Sequence, residues 1–212
     1  MNTRRIITAV LLLAGLPLAA RAADSREIIE KVRKVLTDQV TVKARFEQQF
    51  LWQMVGEKQT IHGEFELKGD TAFRITADDQ VIVSDGKTLW TYSKTMKRLL
   101  VDKMENTDNE WLPQTLFLKT QKDYRHRVSG EETVAGRKCV VVSFDAVKDD
   151  TYFPKMKVWV DAETFIPARI EQVDISKNRT VYTLSEVQTG MPIPDSVFQF
   201  KAPEDAEVID LR

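Results

Sequence analysis

Apolar and polar residues alternate along most of this chain with a period of two, which is typical of β-strands. In residues 43–54 one face is apolar except for Gln48, and the other face carries charged and amide side chains. The alternation continues in residues 61–68 and 73–77 and predicts further strands at 80–84, 87–93, 97–101, 124–129, 137–145, 155–161, 167–175 and 179–188. About eleven strands with short links indicate an antiparallel sheet, apolar on one side and solvated on the other.

The segment 80–92 carries the clearest turn signal of the chain. Two apolar runs flank Asp85 and Gly86. This pair favours a two-residue hairpin turn, because both residues tolerate a positive φ. The sequence therefore predicts that residues 80–84 and 87–93 form a β-hairpin.

Two segments have helical periodicity instead. Residues 24–36 place apolar residues at helical spacing behind a capping Asp24 or Ser25, and such an amphipathic helix must lie on an apolar surface. Residues 107–118 begin with Thr107 and Glu110 in the spacing of a capping box. Because Pro113 lies inside this second segment, we expect a kinked helix or two short helices there.

The fold class follows from the excess of strands over helices. A long twisted sheet tends to curl or close. We therefore expect either a full barrel with an internal cavity or a half-open barrel with helices laid across its open side. In both cases a concave apolar surface is left incompletely filled and suits an apolar ligand. An ordinary packed core on the same face is the alternative.

The N-terminus has the pattern of a secretory signal. Arg4 and Arg5 precede an apolar run over residues 6–20, and Ala20 and Ala22 occupy the usual small-residue cleavage positions. We therefore interpret residues 1–22 as a signal peptide and residues 23–212 as one exported, periplasmic domain; a retained anchor is the alternative. Without residues 1–22 the formal net charge becomes more negative than −1, which gives no support for nucleic-acid binding.

The residues of known catalytic and metal sites are scarce in this chain. His62 and His126 lie on predicted strands among polar neighbours and are expected to face solvent, with no second histidine at metal-ligand spacing. Cys139 is the only cysteine, so no internal disulfide can form, and its apolar strand favours a buried core residue. We expect no enzymatic activity, no metal and no cofactor.

Several dispersed pieces of the chain resemble the outer-membrane lipoprotein carrier protein family, LolA. The most specific piece covers residues 83–92, the hairpin described above, with Trp90 and Tyr92 near its end. The other pieces are residues 44–48, 63–68, 198–203 and 208–210. The likeness rests on their order and spacing over most of residues 23–212.

This resemblance implies a fold and a function. The fold would be an incomplete, strongly curved antiparallel β-barrel of about eleven strands with an α-helical lid. The function would be periplasmic transport, in which an acylated lipoprotein is accepted from an inner-membrane ABC transporter and passed to an outer-membrane receptor. We expect such a carrier to be a monomer.

One departure from the family pattern concerns the lid. Where the family usually has Arg-Pro after the second strand, with the Arg associated with lid closure, this chain has Gly69 and Asp70. Arg74 is the nearest basic residue and is expected to contact the lid; a solvated strand residue is the alternative reading. The departure favours a second interpretation, a LolA-like carrier or sensor of another lipid or glycolipid.

The alternation also predicts which side chains form the lipid-binding site. The wall of the cavity is expected to comprise Phe46, Phe50, Trp52, Phe65, Leu67, Ile75 and Trp90. The lid is expected to comprise Ile29, Val32, Leu36, Trp111, Leu116 and Phe117. For each of these residues, ordinary core packing is the alternative.

Overall fold

A computed structural model describes residues 24–37, 41–69, 71–106 and 123–212. Within these described ranges, one α-helix, α1 (Ser25–Thr37), precedes a run of twelve strands. The strands are β1 (Thr41–Trp52), β2 (Glu57–Lys68), β3 (Ala72–Ala77), β4 (Gln80–Asp85), β5 (Thr88–Ser93), β6 (Arg98–Lys103), β7 (Tyr124–Val134), β8 (Arg137–Ala146), β9 (Lys155–Asp161), β10 (Pro167–Val173), β11 (Arg179–Thr189) and β12 (Glu207–Asp210). Short 3-10 turns cover Met104–Asn106 and Asp195–Phe198.

All twelve strands belong to one curved sheet that does not close. Its order is β12-β6-β5-β4-β3-β2-β1-β11-β10-β9-β8-β7, so β12 and β7 are the two edges. Neighbouring strands are antiparallel except β12, which runs parallel to β6. The expectation of a curved, incomplete barrel with helix is confirmed. The twelfth strand was missed because it is only four residues long.

Helix α1 covers part of the concave face of the sheet. Asp24 caps it, since its carboxylate accepts a hydrogen bond from the backbone N–H of Arg26 at 3.0 Å. The apolar stripe Ile28, Ile29, Val32 and Leu36 is buried. It packs on a core from both halves of the sheet, which includes Val42, Phe65, Leu67, Phe73, Leu89, Val142, Phe144, Met156, Val158, Val160, Ile166 and Ile170. Among the described residues, no helix combines the length and the apolar character needed to span a membrane.

The hairpin between β4 and β5 forms one residue later than predicted. Asp85 is the last residue of β4, and the loop consists of Gly86 and Lys87. Only Gly86 takes a positive φ, at 90°. The Asp85 carboxylate instead accepts hydrogen bonds from the backbone N–H groups of Lys87 at 2.9 Å and Thr88 at 2.7 Å. Asp85 therefore stabilises the turn through its side chain.

The convex face is not solvated throughout, which corrects the expectation of one polar face. On β4, β5 and β6 it carries a buried cluster of Val81, Val83, Tyr92, Leu99 and Val101. The C-terminal segment lies over this cluster and contributes Phe200, Ala202 and Ala206. A smaller convex cluster on the other half of the sheet comprises Val134, Cys139, Val141, Trp159 and Ala168. The C-terminal segment thus buries the convex cluster of β4, β5 and β6.

Candidate functional site

The concave face continues beyond the core under α1 as a row of larger side chains on β1. Phe46, Gln48, Phe50 and Trp52 alternate along this strand and share one face. All four are half-buried. The ring centroids of Phe50 and Trp52 lie 4.5 Å apart. This aromatic row is the strongest candidate for contact with an apolar ligand, because its members are only partly covered by the protein.

The neighbouring strands place further side chains beside the aromatic row. Gln48 pairs with Ile61 of β2 and with Tyr182 of β11. Its Nε2 donates a hydrogen bond to the Tyr182 hydroxyl at 3.2 Å, and burial raises the pKa of Tyr182. Phe50 pairs with Thr180. The candidate wall is therefore apolar with a few uncharged polar groups.

The predicted wall residues that lie on the concave face form one buried pair and two half-buried pairs. Phe65 and Leu67 are buried beneath α1, with 6% and 1% of their surface exposed, and belong to the packed core. Phe46 and Ile75 are half-buried and pack against the edge of that core. Phe50 and Trp52 are half-buried farther along β1. The first pair stabilises the fold, and the others line the face that a ligand would reach.

Trp90 does not lie on the concave face, contrary to the sequence prediction. It pairs with Val83 of β4 and Val101 of β6 and packs against the convex cluster under the C-terminal segment. Its strand neighbours Leu89 and Thr91 take the concave positions instead. Residues 81–83 and 89–90 are all apolar, so alternation alone left the face of Trp90 ambiguous.

Arg74 also faces away from α1, so it makes no contact with the part of the predicted lid that the structure describes. Its neighbours Phe73 and Ile75 point to the concave core, which places Arg74 on the convex face. There its guanidinium donates a hydrogen bond to the carbonyl oxygen of Val197 at 3.3 Å. Nearby, Lys68 forms an ion pair with Asp195 at 2.6 Å. Both cations hold the turn Asp195–Phe198 at the start of the C-terminal segment.

The predicted lid residues are only partly described. Ile29, Val32 and Leu36 are buried against the sheet, as members of the packed core. Trp111, Leu116 and Phe117 lie outside the described residues, as does the whole predicted helical segment 107–118.

His126 contacts α1, which the sequence did not reveal. It lies on the concave side of β7, where its Nδ1 is 3.0 Å from the Ser25 hydroxyl and its ring centroid is 6.0 Å from that of Phe144. Burial is the main cause that lowers the pKa of His126, and Arg26 adds to the effect. His62 is exposed on the opposite face, 3.9 Å from Glu47. His126 is thus a helix contact, and its half-buried position corrects the prediction that it faces solvent.

Comparison with known proteins identifies the family. The family model described as outer membrane lipoprotein carrier protein LolA matches residues 38–201. An outer-membrane lipoprotein carrier protein of Haemophilus ducreyi is 26% identical over 90% of this chain and 88% of its own length. An uncharacterised Methanocaldococcus jannaschii protein is 27% identical over 99% of the chain, which spans 61% of that protein's length.

A solved structure supports the fold independently. An uncharacterised conserved protein from Thermus thermophilus superposes with a TM-score of 0.59 at 14% identity, over 87% of this chain and 98% of its own. At that identity the likeness shows the fold alone. The match of the family model over most of the chain, on a curved open sheet with a helix against its concave face, shows that the chain belongs to the LolA family.

Proposed function

We propose that this protein is a periplasmic carrier that shields the acyl chains of lipoproteins on the concave face of its sheet. The observation that carries the proposal is the half-buried aromatic row of Phe46, Phe50 and Trp52, which lies beyond the core under α1. The named lipoprotein carriers among its relatives support the cargo. In this proposal the cargo comes from an inner-membrane ABC transporter and goes to an outer-membrane receptor.

The energetics of acyl chains explain why a carrier would need both partners. Burying one methylene contributes about 0.8 kcal/mol, so a sixteen-carbon chain contributes roughly 12 kcal/mol. Non-covalent affinities level off near roughly −18 to −21 kcal/mol. A carrier of several chains therefore cannot match a membrane. Loading would be driven by the transporter, and release would run downhill to a better acceptor.

The N-terminal pattern fits this location. We propose that residues 1–22 are removed on export and that residues 23–212 act in the periplasm as a monomer. N-terminal sequencing of protein purified from the periplasm tests the cut, and a start near Ala23 is the expected result.

A second cargo is favoured by one specific observation. Gly69 stands where the family usually has the Arg associated with lid closure, and Arg74 contacts the C-terminal segment on the convex face. Within the described residues, neither position therefore supplies an arginine that reaches α1. A LolA-like carrier or sensor of another lipid or glycolipid would not need the same control of its lid.

The test is mass spectrometry under non-denaturing conditions on protein purified from its own periplasm. Lipoprotein that co-purifies would support the carrier of lipoproteins, and a different lipid would support the second candidate. The variant Phe50→Glu places a charge on the concave row, and lipid should be lost. Its matched control is Leu51→Glu, one residue along on the opposite face beside Arg179 and Lys58, which should retain lipid. Equal lipid content in both variants would contradict the proposed site.

A further inference from the structure

Three uncharged polar side chains lie on neighbouring strands of the concave wall. Gln172 of β10 pairs directly with Thr180 of β11, and Tyr182 follows Thr180 two residues along on the same face. We call these three residues the polar strip. It adjoins the aromatic row, because Thr180 also pairs with Phe50 and Tyr182 pairs with Gln48.

Gln172 is buried without a strong hydrogen bond. Only 5% of its surface is exposed. Its Nε2 lies 3.8 Å from the sulfur of Met156, a weak acceptor. Within the part of the chain that the structure describes, its carboxamide oxygen has no hydrogen-bond partner. Buried polar groups are nearly always paired, so an unpaired carboxamide on the concave face indicates a missing partner.

Thr180 and Tyr182 also have hydrogen-bonding groups that lack a partner. Thr180 is 8% exposed, and no described residue forms a hydrogen bond with its side chain. The Tyr182 hydroxyl accepts the hydrogen bond from Gln48, which leaves its own hydrogen to donate. The strip therefore offers hydrogen-bond donors from three side chains, and acceptors from the Gln172 carboxamide oxygen and the Thr180 hydroxyl oxygen.

The surroundings of the strip disfavour an anionic ligand group. The residues paired with it on the same face are Ile170, Met156, Phe50 and Gln48, all of them uncharged. A carboxylate or phosphate buried here would have no positive partner among them, and an unpaired buried charge is strongly unfavourable. An uncharged hydrogen-bond acceptor next to hydrocarbon fits both the strip and the aromatic row.

We propose that the polar strip binds the ester or amide carbonyl groups that join acyl chains to their head group. The inference rests on the proposed carrier function and makes it more specific. In this arrangement the acyl chains lie along the aromatic row, and their carbonyl oxygens accept hydrogen bonds from Thr180, Tyr182 and the Gln172 amide. The N–H of an amide-linked chain donates to the unpaired carboxamide oxygen of Gln172. Lipids whose chains are joined by ester or amide bonds are then preferred over ether lipids of the same chain length.

The test compares a synthetic diacylglyceryl lipopeptide with its dialkyl-ether analogue, each measured by displacement of a bound fluorescent apolar probe. The wild-type protein should bind the ester lipid about fivefold tighter for each hydrogen bond made. Gln172→Met and Thr180→Val have nearly the same shape and should reduce this preference without changing the affinity for the ether lipid. Thr60→Val, on the exposed outer face of β2, is the control and should keep the preference.

The same variants give a second readout in the unliganded protein. Because Gln172→Met and Thr180→Val remove buried polar groups that lack partners, their thermal unfolding temperatures should equal or exceed that of the wild type. A clear fall would show that the polar groups already have partners in the free protein, which would overturn the inference.

The outcomes separate this inference from the proposed function. Equal binding of the ester and ether lipids by the wild type would overturn the role of the polar strip and leave the carrier function standing. Binding of neither lipid would overturn both. Phosphatidylglycerol, used as a third ligand, distinguishes the source of the carbonyl groups. If the wild type prefers the ester lipid over the ether lipid, equally tight binding of phosphatidylglycerol and the lipopeptide indicates acyl esters in general. Tighter binding of the lipopeptide indicates lipoprotein. In both cases the preference for the ester lipid supports the strip.

Discussion

The ring of Phe46 lies against Gly63 on the neighbouring strand so closely that no side chain fits between them. A Cβ atom at residue 63 would stand 2.5 Å from Cζ of Phe46 and 2.4 Å from the carbonyl oxygen of Thr76. Phe46 and Gly63 are direct partners in the register of β1 and β2. The glycine therefore lets the ring lie over the sheet at the start of the aromatic row.

We expect Gly63→Ala to lower the free energy of unfolding by about 1–3 kcal/mol, as overpacked substitutions do. The backbone carbonyl of Thr76 cannot rotate away as a side chain would, so β2 or β3 must shift. Urea unfolding followed by circular dichroism measures the change.

The double variant Phe46→Leu with Gly63→Ala tests whether the ring is part of the cause. Its loss of stability should be smaller than the sum of the two single losses, because the smaller side chain relieves one of the two clashes. Strict additivity would show that the Thr76 carbonyl alone accounts for the effect.

A second prediction separates the core from the ligand-facing wall. Leu67 is buried under α1 with 1% of its surface exposed, so Leu67→Ala should lower the free energy of unfolding by about 2–5 kcal/mol. Phe50 is half-buried and contacts Trp52, so Phe50→Ala should cost only about 1 kcal/mol, close to the worth of an aromatic pair. Thermal unfolding of both variants checks the difference, and similar losses would place Phe50 in the core.

The sequence predicted the strands because one face of most strands is apolar and the register follows from that alternation. It placed Phe46, Phe50 and Trp52 together for this reason, and the structure keeps them on one face. It could not separate them from Leu67, because alternation assigns a side chain to a face and not to a position beneath α1. Which concave residues are core depends on where the helix lies.

The errors have a different physical origin. Trp90 sits in an apolar run whose two faces are both buried, one by the core and the other by the C-terminal segment. Local periodicity cannot show that coverage, since the covering residues lie more than a hundred positions later. The sequence did not predict the burial of Gln172 and Thr180, because polar residues in a strand are usually solvated. The burial of these two side chains depends on the curvature of the whole sheet.

A third prediction concerns the C-terminal segment. The rings of Tyr92 and Phe200 lie 5.5 Å apart over the convex cluster. Phe200→Ala should lower the free energy of unfolding by about 2 kcal/mol, since a half-buried ring loses less than a fully buried one. Lipid affinity should be unchanged, because this cluster lies on the other face. Lys201→Ala, an exposed neighbour, is the control; reduced lipid binding by Phe200→Ala alone would show that the two faces are coupled.

A fourth prediction concerns the single thiol. Cys139 is 1% exposed, and burial, with a smaller contribution from Asp161, raises its pKa. Because the thiolate is the reactive form, alkylation by iodoacetamide at pH 8 should be slow in the folded protein and rapid in urea. The fraction of protein that carries the single adduct, followed over time by mass spectrometry, gives the rate of alkylation. Rapid alkylation without urea would show that the cluster around Val134 and Trp159 opens locally.

The last prediction concerns the dependence of stability on pH. His126 faces Ser25, Asp24 and Arg26 of α1, and burial lowers its pKa below the ordinary value of about 6.5. The folded state therefore favours the neutral imidazole, whereas the unfolded chain takes up a proton near pH 6.5. Stability from this residue is present above that pH and is lost as the pH falls towards the folded pKa.

Urea unfolding of the wild type and of His126→Gln at several pH values between 7 and 5 tests this sign. The wild type should lose stability more steeply with falling pH than His126→Gln, which has no proton to bind at this position. His62→Gln removes the other histidine, whose side chain is 66% exposed on the outer face, and should keep the steeper wild-type profile. If His126→Gln and the wild type lose stability equally, the contact between α1 and β7 does not depend on a neutral imidazole. Other groups, such as the carboxylates of the outer face, would then set the acid limit of the fold.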